Sequence, residues 1–326
     1  MKRFFRSEAG ASVAWLVTSL LLAALLAPWI YRGGMALADA CAAKELPGAV
    51  EWLGAACERS RHKFGRFFDR SLMLSALALL PFLLWRIRRI RGTAGGDRPY
   101  ALRKLGVERT SVHVMVGFLV AAVGFALLAW VLVAGEAFVA KQPPPGMGKV
   151  LGRTAAPMIV APLLEEWLFR GLLLGLWLAV VRPFAACVGC SVMFAAVHFL
   201  KPPEGTVMGL PHSWDAGFEL LGHIVGHFAD PVFFVTDFAT LFLLGMLLAW
   251  TRIRTHSLWM AIGIHAALVG AFKAFNLFFR KVPEHAWTPW GIGESLRSGL
   301  LPLAALGLIA IAIGLVMRGM DRVNRA

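Results

Sequence analysis

The residues of this chain best suited to chemistry stand where charge is costly. The run Pro162-Leu163-Leu164-Glu165-Glu166-Trp167-Leu168-Phe169-Arg170-Gly171 sets two adjacent glutamates and an arginine among apolar neighbours, and two later apolar runs each contain a histidine, His198 and His265. Ionisable groups at membrane depth are expensive, and as a rule they serve a function. Residues four apart share a helix face, so Glu166 and Arg170 are expected to pair, while Glu165, turned about 100° around the axis, points elsewhere. Desolvation then disfavours the charged form of Glu165, the condition in which a carboxylate acts as a general base toward water. The competing reading of the pair is a structural one, an ion pair that joins two helices.

The histidines extend the pattern. Met193-Phe194-Ala195-Ala196-Val197-His198-Phe199 puts Phe194 and His198 one turn apart on one helix face, and Ser257-Leu258-Trp259 leads to His265 through small residues that permit close helix approach. Either histidine alone also reads as a hydrogen-bonded core residue. Taken together, a glutamate pair and two imidazoles on three different spans are the residue types that acid–base hydrolysis requires. A proton or ion relay would use the same groups. A transporter of that kind would be favoured by inverted repeats with paired broken helices, and none is visible in the sequence.

The elements that must position these residues are membrane helices. Of the 326 residues 58% are hydrophobic and 16% charged, and the mean hydropathy is +0.68, values far from those of a soluble domain. The fold class is therefore all-α, a polytopic transmembrane bundle. Runs long enough to cross about 30 Å of hydrocarbon fall at Ala11–Tyr31, Ser71–Ile87, Val112–Ala134, Ala155–Val181, Pro183–Leu200, Pro231–Trp250, Ser257–Phe275 and Leu300–Met317, which makes about eight spans. Pro157 and Pro162 precede Glu165 within the fourth, where prolines free backbone carbonyls and help open a wet cavity.

Charge sets the expected orientation. Lys2, Arg3 and Arg6 precede the first span, a basic run from Arg86 to Arg109 joins the second to the third, and Arg182, Arg252, Arg254, Arg318, Arg322 and Arg325 follow at alternate ends. Basic loops stay cytoplasmic, so both termini are expected there, in a bacterial inner membrane. The segment from Arg32 to Arg70 conflicts with this rule. Its stretch Val50–Arg70 mixes Trp52, Leu53, Phe64, Phe67 and Phe68 with bases and reads as an interfacial helix on the bilayer. The net charge of +14 then reports contact with anionic lipid. Nucleic acid is a poor partner, because the bases are spread over short loops.

Ala38-Asp39-Ala40 resembles a signal-peptide cleavage site, but Pro28-Trp29-Ile30-Tyr31-Arg32 separates it too far from the apolar run. Cys41 and Cys57 could pair in an oxidising compartment, whereas Cys187 and Cys190 lie in an apolar span and read as small buried hydrophobes. Glu219, His223 and His227 share one face of a helix expected within Trp214–Ala229, with ligand-like spacing. The His-Glu-x-x-His pattern of zinc peptidases is absent, so no metal is assigned there.

Glu165-Glu166-x-x-x-Arg170, Phe194-x-x-x-His198, Phe242-x-x-Gly245 and Ser257-Leu258-Trp259 leading to His265 resemble, in order and spacing, the motifs of the CPBP family, the CAAX protease and bacteriocin-processing intramembrane endopeptidases. The resemblance covers roughly Leu151–Val269, so residues 151–326 read as a catalytic membrane core and residues 1–150 as spans and basic segments without a signature. It implies an intramembrane endopeptidase in which Glu165 activates water, assisted by His198, with His265 holding the water or stabilising the oxyanion. Glu166, Arg170 and Phe194 would support them. It also implies a glutamic mechanism with no cofactor; a zinc on Glu165, His198 and His265 is the alternative on ligand type. The substrate would be a membrane-associated protein or peptide: a prenylated C-terminal tail, a leader peptide or a C-terminal anchor. The family's last motif is usually His-x-x-x-Asn, and here the residue is Val269. Losing one oxyanion donor typically costs about 10²–10³ in rate, which keeps a non-catalytic immunity or partner-binding protein open.

Overall fold

The computed structural model describes residues 7–43, 51–61, 63–91, 100–200, 206, 208–293 and 296–323. Backbone groups in hydrocarbon must be satisfied within the segment, so the apolar runs become helices. Eleven helical elements can be named: α1 Glu8–Ala42, α2 Glu51–Glu58, α3 Phe64–Arg91, α4 Val107–Ala134, α5 Met147–Glu166, α6 Leu174–Leu178, α7 Pro183–His198, α8 Ala216–His227, α9 Ala239–Thr255, α10 Trp259–Phe278 and α11 Leu300–Val323. Two π-helical turns interrupt the regular geometry: Trp167–Leu173 joins α5 to α6, and Phe234–Phe238 leads into α9. A two-stranded antiparallel ribbon, β1 Phe138–Ala140 with β2 Phe279–Lys281, pairs Phe138 with Lys281 and Ala140 with Phe279.

The all-α membrane bundle expected from composition is the fold observed. Among the described residues six helices are long and apolar enough to cross a membrane, and α7 is a shorter apolar helix. The remaining expected span, Ala155–Val181, lies in α5, the first π turn and α6. Its Glu165, Glu166 and Arg170 break the apolar run.

The chain divides into two compact units. In the first, which contains α1, α2, α3 and α8, the Ser7 hydroxyl accepts the Gly10 N–H at 3.1 Å and caps α1. That helix then runs unbroken through Ala38-Asp39-Ala40. The expected interfacial helix Val50–Arg70 is not one element: Val50 lies outside the described residues, α2 ends at Glu58, and Phe64 opens α3. The cause is a local core. Tyr31 meets Phe64 and Phe67 edge-on, with ring centroids 5.5 and 5.1 Å apart, and donates its hydroxyl to the Arg61 carbonyl at 2.9 Å. Phe64, Phe67 and Phe68 are buried here, and only Trp52 and Leu53 stay exposed. Arg61, in the turn between α2 and α3, pairs with Glu58 of α2 and Asp39 of α1. The charge of Arg61 is held more tightly by hydrogen bonds to Glu58, then Asp39. Cys41 and Cys57 carry thiols, with no disulfide between them.

The second unit comprises residues 97–197 and 231–326. Its helices α4 and α10 touch backbone to side-chain-free backbone: a Cβ on Gly117 would come within 2.5 Å of the Met260 carbonyl oxygen, and one on Gly263 would strike the Val114 carbonyl. Small residues take the place of the missing hydrophobic drive between helices in lipid. At the far end of this pair Leu128, Leu132, Phe138, Phe275, Ile292 and Leu296 form a buried cluster against the β ribbon.

Candidate functional site

The site in the second unit is assembled by α5 with its π turn, α7, α9 and α10. Glu166 is the last residue of α5 and Arg170 lies in the π turn; both side chains are 0% exposed. Arg170 Nη1 donates to Glu166 Oε1 at 2.9 Å, so the pair expected from the i, i+4 spacing forms. Arg170 Nη2 donates to the Gly245 carbonyl at 3.4 Å, and the guanidinium sits 4.2 Å from the centroid of the Phe194 ring. Phe169 meets Phe194 edge-on at 5.1 Å and closes the aromatic wall. A buried cation over ring faces gains cation–π attraction in addition to its ion pair.

His265, 5% exposed on α10, reaches the same carboxylate: its Nδ1 lies 2.8 Å from Glu166 Oε1. A carboxylate oxygen only accepts, so Nδ1 carries the hydrogen, a tautomer assigned from its partner. That leaves Nε2 facing Glu165 Oε2 at 3.8 Å, with the Glu165 side chain 31% exposed. Glu165 is expected to point elsewhere than the Glu166–Arg170 pair and to work with His265, and the His265 ring lies between the two acids. Adjacent helical residues diverge by about 100°, but an imidazole has nitrogens on two edges, and one ring from a neighbouring helix meets both carboxylates. Glu166 Oε2 and Arg170 Nε have no hydrogen-bond partner among the described residues.

Phe194 belongs to this cluster through its contacts with Arg170 and with His265, whose ring is 6.1 Å away. His198 is the last residue of α7, one turn beyond Phe194 and half-buried. It falls with the first unit and closes the Phe194-x-x-x-His198 motif. Val269 stands one turn past His265, and Asn276 donates its amide to the Phe272 carbonyl of its own helix at 3.0 Å. Cys190, buried like Cys187, donates its thiol to the Phe169 carbonyl at 3.2 Å. In the first unit His223 Nε2 lies 3.9 Å from Glu219 on α8. No group of three or more His, Cys, Asp or Glu among the described residues is arranged to hold a metal ion.

Sequence reasoning missed the part played by Gly245. A Cβ there would lie 2.9 Å from Ser191 Cβ, so glycine is what lets α9 approach α7, and its carbonyl accepts from Arg170. The Phe242-x-x-Gly245 spacing was the signal. The π turn left none, because Trp167–Leu173 has ordinary helix-forming residues apart from Gly171; π turns often occur at functional sites.

Apolar helices long enough to cross a membrane make this an integral membrane protein, and a buried Glu–Arg–His cluster is its most polar internal feature among the described residues. Residues 148–270 match the family model described as Rce1-like, type II CAAX prenyl endopeptidase Rce1-like. The matched segment includes every site residue named above from Glu165 to Val269. No curated protein and no solved structure matches the chain.

Proposed function

We propose that the protein is an intramembrane endopeptidase that hydrolyses a peptide bond in a membrane-associated protein, with Glu165 as general base. The observation that carries this reading is the imidazole of His265 held between two adjacent glutamates, one buried and arginine-paired, the other partly accessible. The two acids thereby have different work. Glu166, fixed by Arg170, orients His265 through Nδ1. Glu165, whose side chain is 31% exposed, faces the other edge of the ring.

In the reaction, Glu165 takes a proton from water as the water oxygen attacks the scissile carbonyl. His265 Nε2 is the second partner of that water. The oxygen of the tetrahedral intermediate gains negative charge, and His198, carried by the motif, assists there. The C–N bond then breaks, and the proton on Glu165 passes to the leaving amine. With Val269 where the family usually has an amide, one oxyanion donor is missing, and catalysis is expected to be slower by up to about 10²–10³.

The family description directs the first substrate assay to prenylated C-terminal peptides. Both termini are assigned to the cytoplasmic side on loop charge. The test is proteolysis of such a peptide by purified protein in bilayers, wild type against Glu165→Gln. Loss of product with retained folding supports the reading; equal product from both overturns it. A non-catalytic scaffold, which Val269 favours, would leave the substrate bound and intact in both.

A further inference from the structure

We propose that the second unit holds a specific anionic phospholipid, its phosphate in a basic pocket and an acyl chain in the adjoining groove. This site is separate from the glutamate–histidine cluster and does not depend on its activity. It also goes beyond a general attraction of basic loops to the membrane, because the groups converge on one cavity.

The pocket, about 360 Å³, lies where the start of α4, the turn between α9 and α10 and the last turns of α11 come together. Arg103, Lys104, Arg109 and Arg254 line it with His113 and His256, and none of the lining residues is acidic. Four like charges around one cavity repel, and an anion turns that repulsion into attraction. The arrangement is fixed by the backbone. The Arg103 N–H donates to the His256 carbonyl at 2.9 Å, and Tyr100 stacks on the His256 ring with an interplanar angle of 8°. His256 itself ends α9 in the left-handed conformation, with φ of 52°. The basic segment is thus anchored while the Arg103, Lys104 and Arg109 residues stay exposed.

The pocket also has an apolar side, Met260, Met317 and Met320. A second cavity of about 270 Å³ continues from it, lined by Trp250, Arg254, Gly314, Met317 and Arg318 and sharing Arg254 and Met317 with the first. Gly314 stands in the wall of this groove, where a Cβ would lie 3.5 Å from the Trp250 ring. Ile311, one turn earlier on α11, is exposed. A free phosphate would use the basic pocket alone. A basic pocket that opens, at the ends of membrane helices, into an aromatic-walled groove suits a ligand with a charged head and an apolar chain.

The experiment uses the full chain in detergent, titrated with phosphatidylglycerol, phosphatidylcholine or inorganic phosphate, with native mass spectrometry and thermal unfolding as readouts. Phosphatidylglycerol is expected to be retained at about one per chain and to raise Tm, while phosphatidylcholine and phosphate do neither. Replacing Arg103, Lys104 and Arg254 together by Gln should weaken phosphatidylglycerol about a hundredfold, roughly fivefold per charge. Should that variant misfold, Lys104→Gln alone, at an exposed residue, should still weaken it about fivefold. Gly314→Leu, which fills the groove without touching a charge, should also weaken it. Equal retention of phosphatidylcholine, equal stabilisation by inorganic phosphate, or unchanged affinity in the charge variants would overturn the proposal; the phosphate result would show a soluble-anion site.

Discussion

Replacing Arg170 by Met tests the buried network most severely. The guanidinium and the Glu166 carboxylate are both fully buried and 2.9 Å apart, so removing the cation strands a carboxylate whose remaining hydrogen-bond partner among the described residues is His265 Nδ1. Breaking one side of a buried pair typically costs about 3–5 kcal/mol. Loss of the ring contact with Phe194 adds about 0.5–2 kcal/mol. Met keeps much of the buried stem, so the cavity left behind is small. The hydrogen bond from His265 Nδ1 to Glu166 offsets part of the loss, and a total near 4 kcal/mol is expected, about a thousandfold in the folded-to-unfolded ratio. The assay is reversible unfolding in bilayer-mimetic detergent of wild type, Arg170→Met, Glu166→Gln and the double variant. With the charge of Glu166 removed, the double variant should recover at least about 2 kcal/mol relative to the sum of the singles, the coupling expected of residues in one network. A single-variant cost under about 1 kcal/mol, or strict additivity, would refute the argument.

The remaining expectations follow from the same geometry. Gly245→Ala pushes a Cβ into Ser191 and should cost about 1–3 kcal/mol, which Ser191→Gly partly restores; thermal unfolding of the three proteins decides it. His265→Ala should lower both activity and stability because it removes a partner of buried Glu166, whereas His198→Ala should lower activity with stability unchanged; comparing turnover with Tm separates the two roles. Val269→Asn returns an amide one turn beyond His265 and should raise kcat at least about tenfold if an oxyanion donor is what the chain lacks. An unchanged kcat would show that another group already serves.

Much of the site was legible because its strongest contact is local. Glu166 and Arg170 are four apart on a helix, and that spacing alone foretold their pairing. The bridging by His265 was not, since it joins residues 99 apart in sequence, and no periodicity encodes which edge of a ring a distant helix will present. Gly245 was visible as a motif residue, but its two uses depend on the approach of α7 and on where Arg170 ends. The helices themselves followed from apolar run length. The segment Val50–Arg70 misled for a related reason: Phe64, Phe67 and Phe68 suit a lipid face and a protein core equally, and Tyr31 on another helix decides between them.

The central claim is that Glu165 performs peptide hydrolysis within the membrane. Its most direct measurement is the inventory of new protein termini in membranes of cells that carry the wild-type chain or Glu165→Gln at equal abundance. At least one membrane-protein terminus is expected with the wild type and absent, with the uncut precursor accumulating, in Glu165→Gln. Identical termini in both would contradict it.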